Sequence, residues 1–365
     1  MELHSSQPMD EKSDWLILAR NNQRQNFSLK NINPPLKVVW KKRIKSVVID
    51  HPLATGNIIL APTKDGMIRQ IDYLTGEEKS HNRIGPGMDC SPIIINNFLY
   101  AGISVGEKTI LGIDLTDGKS RIQVNYSPVQ STPLHWNDRL YFGTNIGFFF
   151  CIDAGSGGEI WRCEAKGAVM SSAALKNESI FFSDEKGWLH CLNAKTGDKI
   201  WNRQLEGNIY SHPVIEGDNV FIGTNSGQFY AIDFSDGRIV WRKKLKGAIY
   251  SSPSIFENML YIGTNGHQIT AIEQNSGEIG WTFNAKGIIN TMPLTSPNYV
   301  YVSSWDNNLY ILDRRTGQLE FKYEFDRPLK SSPIIYRDLL LVHVSNRHLY
   351  ALANDALAEN WGNEE

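Results

Sequence analysis

The side chains best suited to chemistry recur at a fixed interval. Three residues before a proline that returns about every forty stand Ile49, Asp89, Gln130, Met170, Tyr210, Tyr250, Asn290 and Lys330, with Ala173 in the proline's place in the fourth unit. His51 and His212 each directly precede their proline, and Arg327 lies just ahead of Lys330. Tyr210 and Tyr250 offer flat contact area, while Lys330 and Asp89 offer polar discrimination, a combination that suits a small polar ligand or a peptide. The same set allows a catalytic reading, with Asp89 as base and Lys330 or Arg327 as its electrophilic partner. Trp188, His267, Trp305 and His348 are further loop candidates.

No sharper chemistry is written in the chain. It has no glycine-rich phosphate loop, no HExxH and no GxSxG. Its cysteines, at 90, 151, 163 and 191, include no CxxC spacing and no adjacent pair, so neither a zinc knuckle nor a redox motif is present, and no metal or cofactor is expected. Lys and Arg number 37 against 39 Asp and Glu, a net charge of -2. Gripping a phosphate backbone needs a basic surplus, so nucleic acid is disfavoured. No apolar run approaches a membrane span. The run from Trp15 to Ala19 is too short for a secretory signal, which predicts a cytoplasmic protein; a chain trimmed of its signal would read the same way.

An internal repeat positions the candidates. Around Trp241 the frame is AIDFSDGRIVW, followed by KGAIYSSP: Asp233 stands eight residues before the Trp, Gly237 four before and Pro253 twelve after. Trp161, Trp201, Trp281 and Phe321 repeat it, and Ser80 and Ile122 occupy the same place in weaker copies. Anchors at 40, 80, 122, 161, 201, 241, 281, 321 and 361 are 39 to 42 residues apart and enclose eight units. Each unit holds four short alternating strand signals between turn residues, as in SSPSIF, MLYIGT, QITAIE and EIGWTF, with no helical period. Four strands per forty residues is the grammar of a propeller blade. The prediction is therefore all-β: one eight-bladed propeller over residues 36–365, preceded by an irregular N-terminal arm, residues 1–35. Because an open ring would expose two sheet edges, the strand around Trp40 is expected to complete the last blade, with Trp361 beside it or frayed.

The columns have physical readings. The Asp or Asn accepts amide hydrogen bonds from the turn it opens, and the Gly takes a positive φ. Two residues before the Asp is a small-residue column, Gly112, Cys151, Cys191, Ala231, Ala271 and Ala351, which makes Cys151 and Cys191 packing residues. Cys90 shares a column with Ser131, Ser171, Ser211, Ser251, Thr291 and Ser331 and reads as a small filler. The basic runs Lys41 to Arg43 and Arg242 to Lys244 fall on outer strands, where charge blunts an edge.

Ala231, Asp233, Gly237 and Trp241 resemble the tryptophan-docking repeat of the quinoprotein-like propellers, and DWLILARNNQRQNFS, from Asp14, looks like the lead-in to such propellers. That superfamily includes pyrroloquinoline quinone (PQQ) dehydrogenases and a lipoprotein that assists assembly of bacterial outer-membrane barrels. The resemblance implies the fold over nearly the whole chain and leaves function open. It implies a disulfide between neighbouring cysteines for the dehydrogenases, and this chain has no such pair, so tight PQQ binding is not expected. By the same analogy the eight residues ahead of the prolines ring one mouth of the central channel, Lys330, Ile49 and Asp89 facing Met170, Tyr210 and Tyr250. The expected function is a non-catalytic binding or scaffolding propeller, monomeric, that presents this mouth to a protein partner or small polar ligand. The alternative is an enzyme or cofactor binder using the same mouth.

Overall fold

The computed structural model describes residues 14–361, so the first 13 residues of the arm and the last four of the chain lie outside the described residues. Eight four-stranded antiparallel sheets form the ring. Blades 1 to 7 start at residues 53, 93, 134, 174, 214, 254 and 294 and run in chain order from the inner strand outward. Blade 8 takes its three inner strands from residues 334–354 and its outer strand, Leu36–Arg43, from the start of the propeller, with Trp40 opposite Ala351. Closure thus joins the two ends of the repeat, as expected from edge protection.

In the sixth unit the strands are Ser254–Phe256, Met259–Gly263, Gln268–Glu273 and Ile279–Asn284. The inner strand is shorter than its sequence signal because Ser251 to Pro253 lie outside the ladder, with a bend at Ser251. Burial follows position in the sheet: the third strand is almost wholly buried between neighbouring blades, and the outer strand alternates.

Indoles hold adjacent blades together. The Nε1 of Trp40, Trp161, Trp201, Trp241 and Trp281 donates to the carbonyl of Tyr73, Ala194, Phe234, Gln274 and Arg314, respectively, at 2.9–3.1 Å, each 33 residues ahead in the next blade. Each ring lies on the turn glycine of that blade: a Cβ on Gly237 (φ +71°) would come within 2.6 Å of the Trp201 ring. The residue serves both as the positive-φ turn and as a flat shelf. Its Asp closes the turn. Asp153 and Asp233 are held below the usual carboxylate range, chiefly by the hydroxyls of Ser156 and Ser235.

Opposite the indoles lie the small residues. Cys151 pairs with Trp161 and Cys191 with Trp201, and burial pushes these thiols up to about 11 and about 12, so they stay protonated and inert. All four cysteines are free. Trp361 follows a short helix, Asp355–Asn360, that the repeat did not announce; its indole donates to Leu74 O at 2.8 Å and packs edge-on against Tyr73.

The arm meets every inner strand, at its middle residue in all but the two-residue strand Leu294–Thr295, where it meets Thr295. Trp15 pairs with Ala54, Leu16 accepts from the Ile94 amide, and Asn22 reaches His135 O through its side chain and Leu175 N through its carbonyl. Gln23, Gln25 and Asn26 accept from the amides of Ile215, Ile255 and Thr295, and the Trp15 indole donates to Ile335 O at 2.6 Å. Eight blades are thereby tied at one end of the channel. Arg24, fully buried, donates to Ala173 O and Leu18 O, and burial lowers its guanidinium to about 9.

Candidate functional site

Beneath the open mouth, the inner strands are pinned by two sets of hydrogen bonds. The hydroxyls of Ser131, Ser171, Ser211, Ser251, Thr291 and Ser331 each donate to a carbonyl twelve residues on, at 2.9–3.2 Å, fixing the approach to the inner strand against the second strand. Cys90 Sγ makes the same contact to Gly102 O at 3.7 Å, as a filler of that column should. One residue further on, bonds run around the channel: Thr132 N to Ser172 Oγ, Ser172 N to His212 Nδ1, His212 N to Ser252 Oγ, Met292 N to Ser332 Oγ and Ser332 N to Asp50 O, at 2.7–3.0 Å. These positions are fixed by the fold. The residues just ahead of them are free to vary.

A cavity of about 220 Å³ opens at this mouth, lined by Asp50, Tyr210, His212, Tyr250, Asn290 and Lys330, with Leu18 of the arm among its walls. The channel is therefore blocked by the arm at one end and open at the other. Tyr210 and Tyr250 stand 5.5 Å apart, centroid to centroid, tilted by 32°. Lys330 Nζ sits 4.4 Å over the ring of Trp305, which is itself 36% exposed. Asn290 Oδ1 is buried with no partner among the described residues. Burial and nearby Arg24 depress the His212 imidazole to about 3, so it is neutral, with Nδ1 accepting from Ser172.

Five of the eight site residues named from the sequence thus share one cavity: Tyr210, His212, Tyr250, Asn290 and Lys330. Asp89, Gln130 and Arg327 are not in its lining. Asp89 forms an exposed ion pair with Lys64 at 3.4 Å, Gln130 is half-buried, and Arg327 is exposed on the loop before its blade. Lysine and tyrosines line this common cavity. Ile49 is a correction: it is 3% exposed and packs in the core between blades 1 and 2. Asp50 takes its place in the lumen by adopting φ +48°; its side chain is solvent-accessible, but the protein packed around the lumen desolvates the carboxyl and raises it above the usual range, against His51, the amide of Ser91 and the charge of Lys64. His51 is likewise packing. It is 1% exposed, edge-on to Trp15, with Nδ1 facing Pro52 O at 2.9 Å.

Asp50 stands two residues before its proline, in the uniform column and not the variable one. Its signal was there: the uniform column reads Asp, Cys, Ser, Ser, Ser, Ser, Thr, Ser, and one carboxylate among hydroxyls marks a departure.

Cys151 and Cys191 lie in blade cores, and Cys90 lies behind the mouth ring.

Eight blades, indole-docked interfaces and an arm-closed channel define a propeller of the quinoprotein-like class. Family comparison narrows this: the chain belongs to the family described as outer membrane protein assembly factor BamB, whose model matches residues 36–203, 185–294 and 269–365. BamB from Moraxella catarrhalis is 19% identical, with 87% of this chain and 100% of that one covered and a TM-score of 0.74. A quinohemoprotein alcohol dehydrogenase, ADHIIG from Pseudomonas putida HK5, is 12% identical over 94% of this chain and 80% of its own, with a TM-score of 0.82. The computationally designed Ika8 protein is 14% identical over 85% and 98%, with a TM-score of 0.75. At these identities the likeness is one of fold. No curated protein matches the chain.

Proposed function

We propose that this protein is a non-catalytic binding propeller whose open channel mouth receives a small polar ligand or a short segment of a protein partner. The observation that carries this reading is the cavity itself: two adjacent tyrosines, a lysine, an aspartate and a buried acceptor without a partner converge on it. Flat aromatic area with a few polar groups is the make-up of a recognition site. The alternative base, Asp89, is paired with Lys64 outside that cavity, which weighs against the catalytic reading. Membership of a family described by outer-membrane protein assembly favours a protein as the occupant. It also draws the place of work away from the cytoplasm expected from the sequence; among the described residues no helix is long and apolar enough to cross a membrane.

The test is to isolate the protein from its native cells, record its ultraviolet-visible spectrum, and identify what it releases and retains by mass spectrometry. A partner or small molecule that is lost on substituting Tyr210 and Tyr250 supports the proposal. A redox-active chromophore bound in the mouth favours the cofactor reading. Fractionation of the same cells locates the protein.

A further inference from the structure

The interfaces between blades are not equivalent, and one of them is unfilled. Five carry an indole on the next blade's turn glycine. At the interface of blades 2 and 3, Ile122 and Val124 cover Gly157, while Tyr126 donates to Gly157 O and Tyr100 to Ala154 O. Phe321 stands in the column at blades 7 and 8. Between blades 1 and 2 the column residue is Ser80, half-buried and paired with Gln70, where other blades pair a large side chain with a small one. A cleft of about 500 Å³ remains there. Ser80 does not reach it; its apolar walls are Ile84, Pro86 and the buried Leu111 and Ile113, Gly118 forms a shelf at φ +70°, and Arg83, Glu107, Lys108 and Gln123 add charged and polar lining. Val105, in the neighbouring loop, is 58% exposed.

We infer that this cleft is a docking site for an aromatic side chain, an indole above all, carried by a partner protein. The occupant's chemistry is read from the molecule itself. In five equivalent gaps the chain satisfies the same shelf with a tryptophan whose N–H meets the carbonyl following the turn's first residue. In blade 2 that carbonyl belongs to Leu115, and Ser80 has neither the area to cover Gly118 nor the reach to meet it. An aromatic ring entering from outside would cover Ile84, Pro86 and Gly118, which are not fully buried, and make a directed hydrogen bond as well. This surface is separate from the channel mouth, so it stands or falls without the reading above.

The probe is N-acetyl-L-tryptophanamide, which presents an indole as a chain residue does, with N-acetyl-L-alaninamide as control. Titrated at millimolar concentration into isotope-labelled full-length protein, the indole compound is expected to shift the amide signals of Leu111, Ile113 and Gly118 saturably, and the control to leave them unmoved. Ser80→Trp, combined with Gln70→Ala to restore the large-small pairing, should fill the cleft from within, raise the melting temperature and abolish those shifts. Absence of a saturable shift at the cleft, or shifts that persist in the folded double variant, would overturn the inference. If the double variant fails to fold, wild-type crystals soaked with the same compound decide the matter. Indole density over Gly118 directed at Leu115 O supports it, and an empty cleft beside the soaked compound refutes it.

Discussion

The two ends of the channel are built from the same eight inner strands and have opposite fates. At the arm's end, one position per blade, from Ala54 to Ile335, bonds to the segment between Trp15 and Asn26. At the mouth the corresponding ring bonds mainly to itself, from Thr132 through Ser172 and His212 to Ser252, although the arm's Ala19 amide donates to His51 Nε2 at 3.4 Å, and the side chains just ahead line the open cavity. The contrast teaches where variation is tolerated. A side chain spent on a buried bond, as the hydroxyls of Ser131, Ser171 and Ser211 are, can change only at the cost of an unpaired group, the arm's backbone bonds tolerate any side chain that packs, and a mouth residue facing the cavity is free to specialise.

That contrast can be broken most violently at the arm. Trp15→Ala removes a fully buried indole and orphans Ile335 O, and is expected to cost about 3–5 kcal/mol, measured as a shift in the denaturant midpoint at unchanged slope. A cost below about 1 kcal/mol would show that the arm is only laid on the ring.

Acid should act next, through buried imidazoles on both sides of that contrast. Burial lowers His51, His212 to about 3 and His343 to about 4, all below the 6.5 of a free imidazole. The unfolded chain therefore binds more protons, and stability should fall as pH drops from about 6.5 toward 3. Asp50 works against this, since its raised carboxyl takes up a proton more readily in the folded state. His212→Asn preserves an acceptor for the Ser172 amide while removing one titration, so its melting curve should depend less steeply on pH.

At the mouth the effect moves from stability to binding. Tyr210→Ala with Tyr250→Ala should leave the circular dichroism and melting temperature nearly unchanged, because Tyr250 is 39% exposed and Tyr210 half-buried. Binding of the native occupant should weaken by about 1–3 kcal/mol, the scale of a lost aromatic contact. Unchanged binding would move the site elsewhere. The smallest effect is expected from PQQ with calcium, whose titration should give no saturable quinone signal; micromolar or tighter binding would contradict the account.

Much of this was legible in the sequence wherever the repeat spoke. The Trp, Asp and Gly columns gave the blade count, the closure by the Trp40 strand and the packing role of Cys151 and Cys191, because each column answers to one contact repeated around the ring. What escaped was what occurs once. The arm has no period, and its bonds are made largely by backbone atoms, which leave no mark on residue type. Asp50 turns into the lumen through a positive φ, and counting from the proline points to Ile49 instead. Ser80 was visible as a weak copy of the anchor, but the cleft it leaves needed the neighbouring blade to be seen.

The central claim is that recognition occurs at the open mouth and not at the arm-closed face. A photo-crosslinking amino acid placed at Tyr250, and separately at Asn177 on an exposed turn beside the arm, tests it directly in living cells of the native host. The account predicts a discrete crosslinked product from position 250 and none from position 177. Capture at 177 with none at 250 would contradict it.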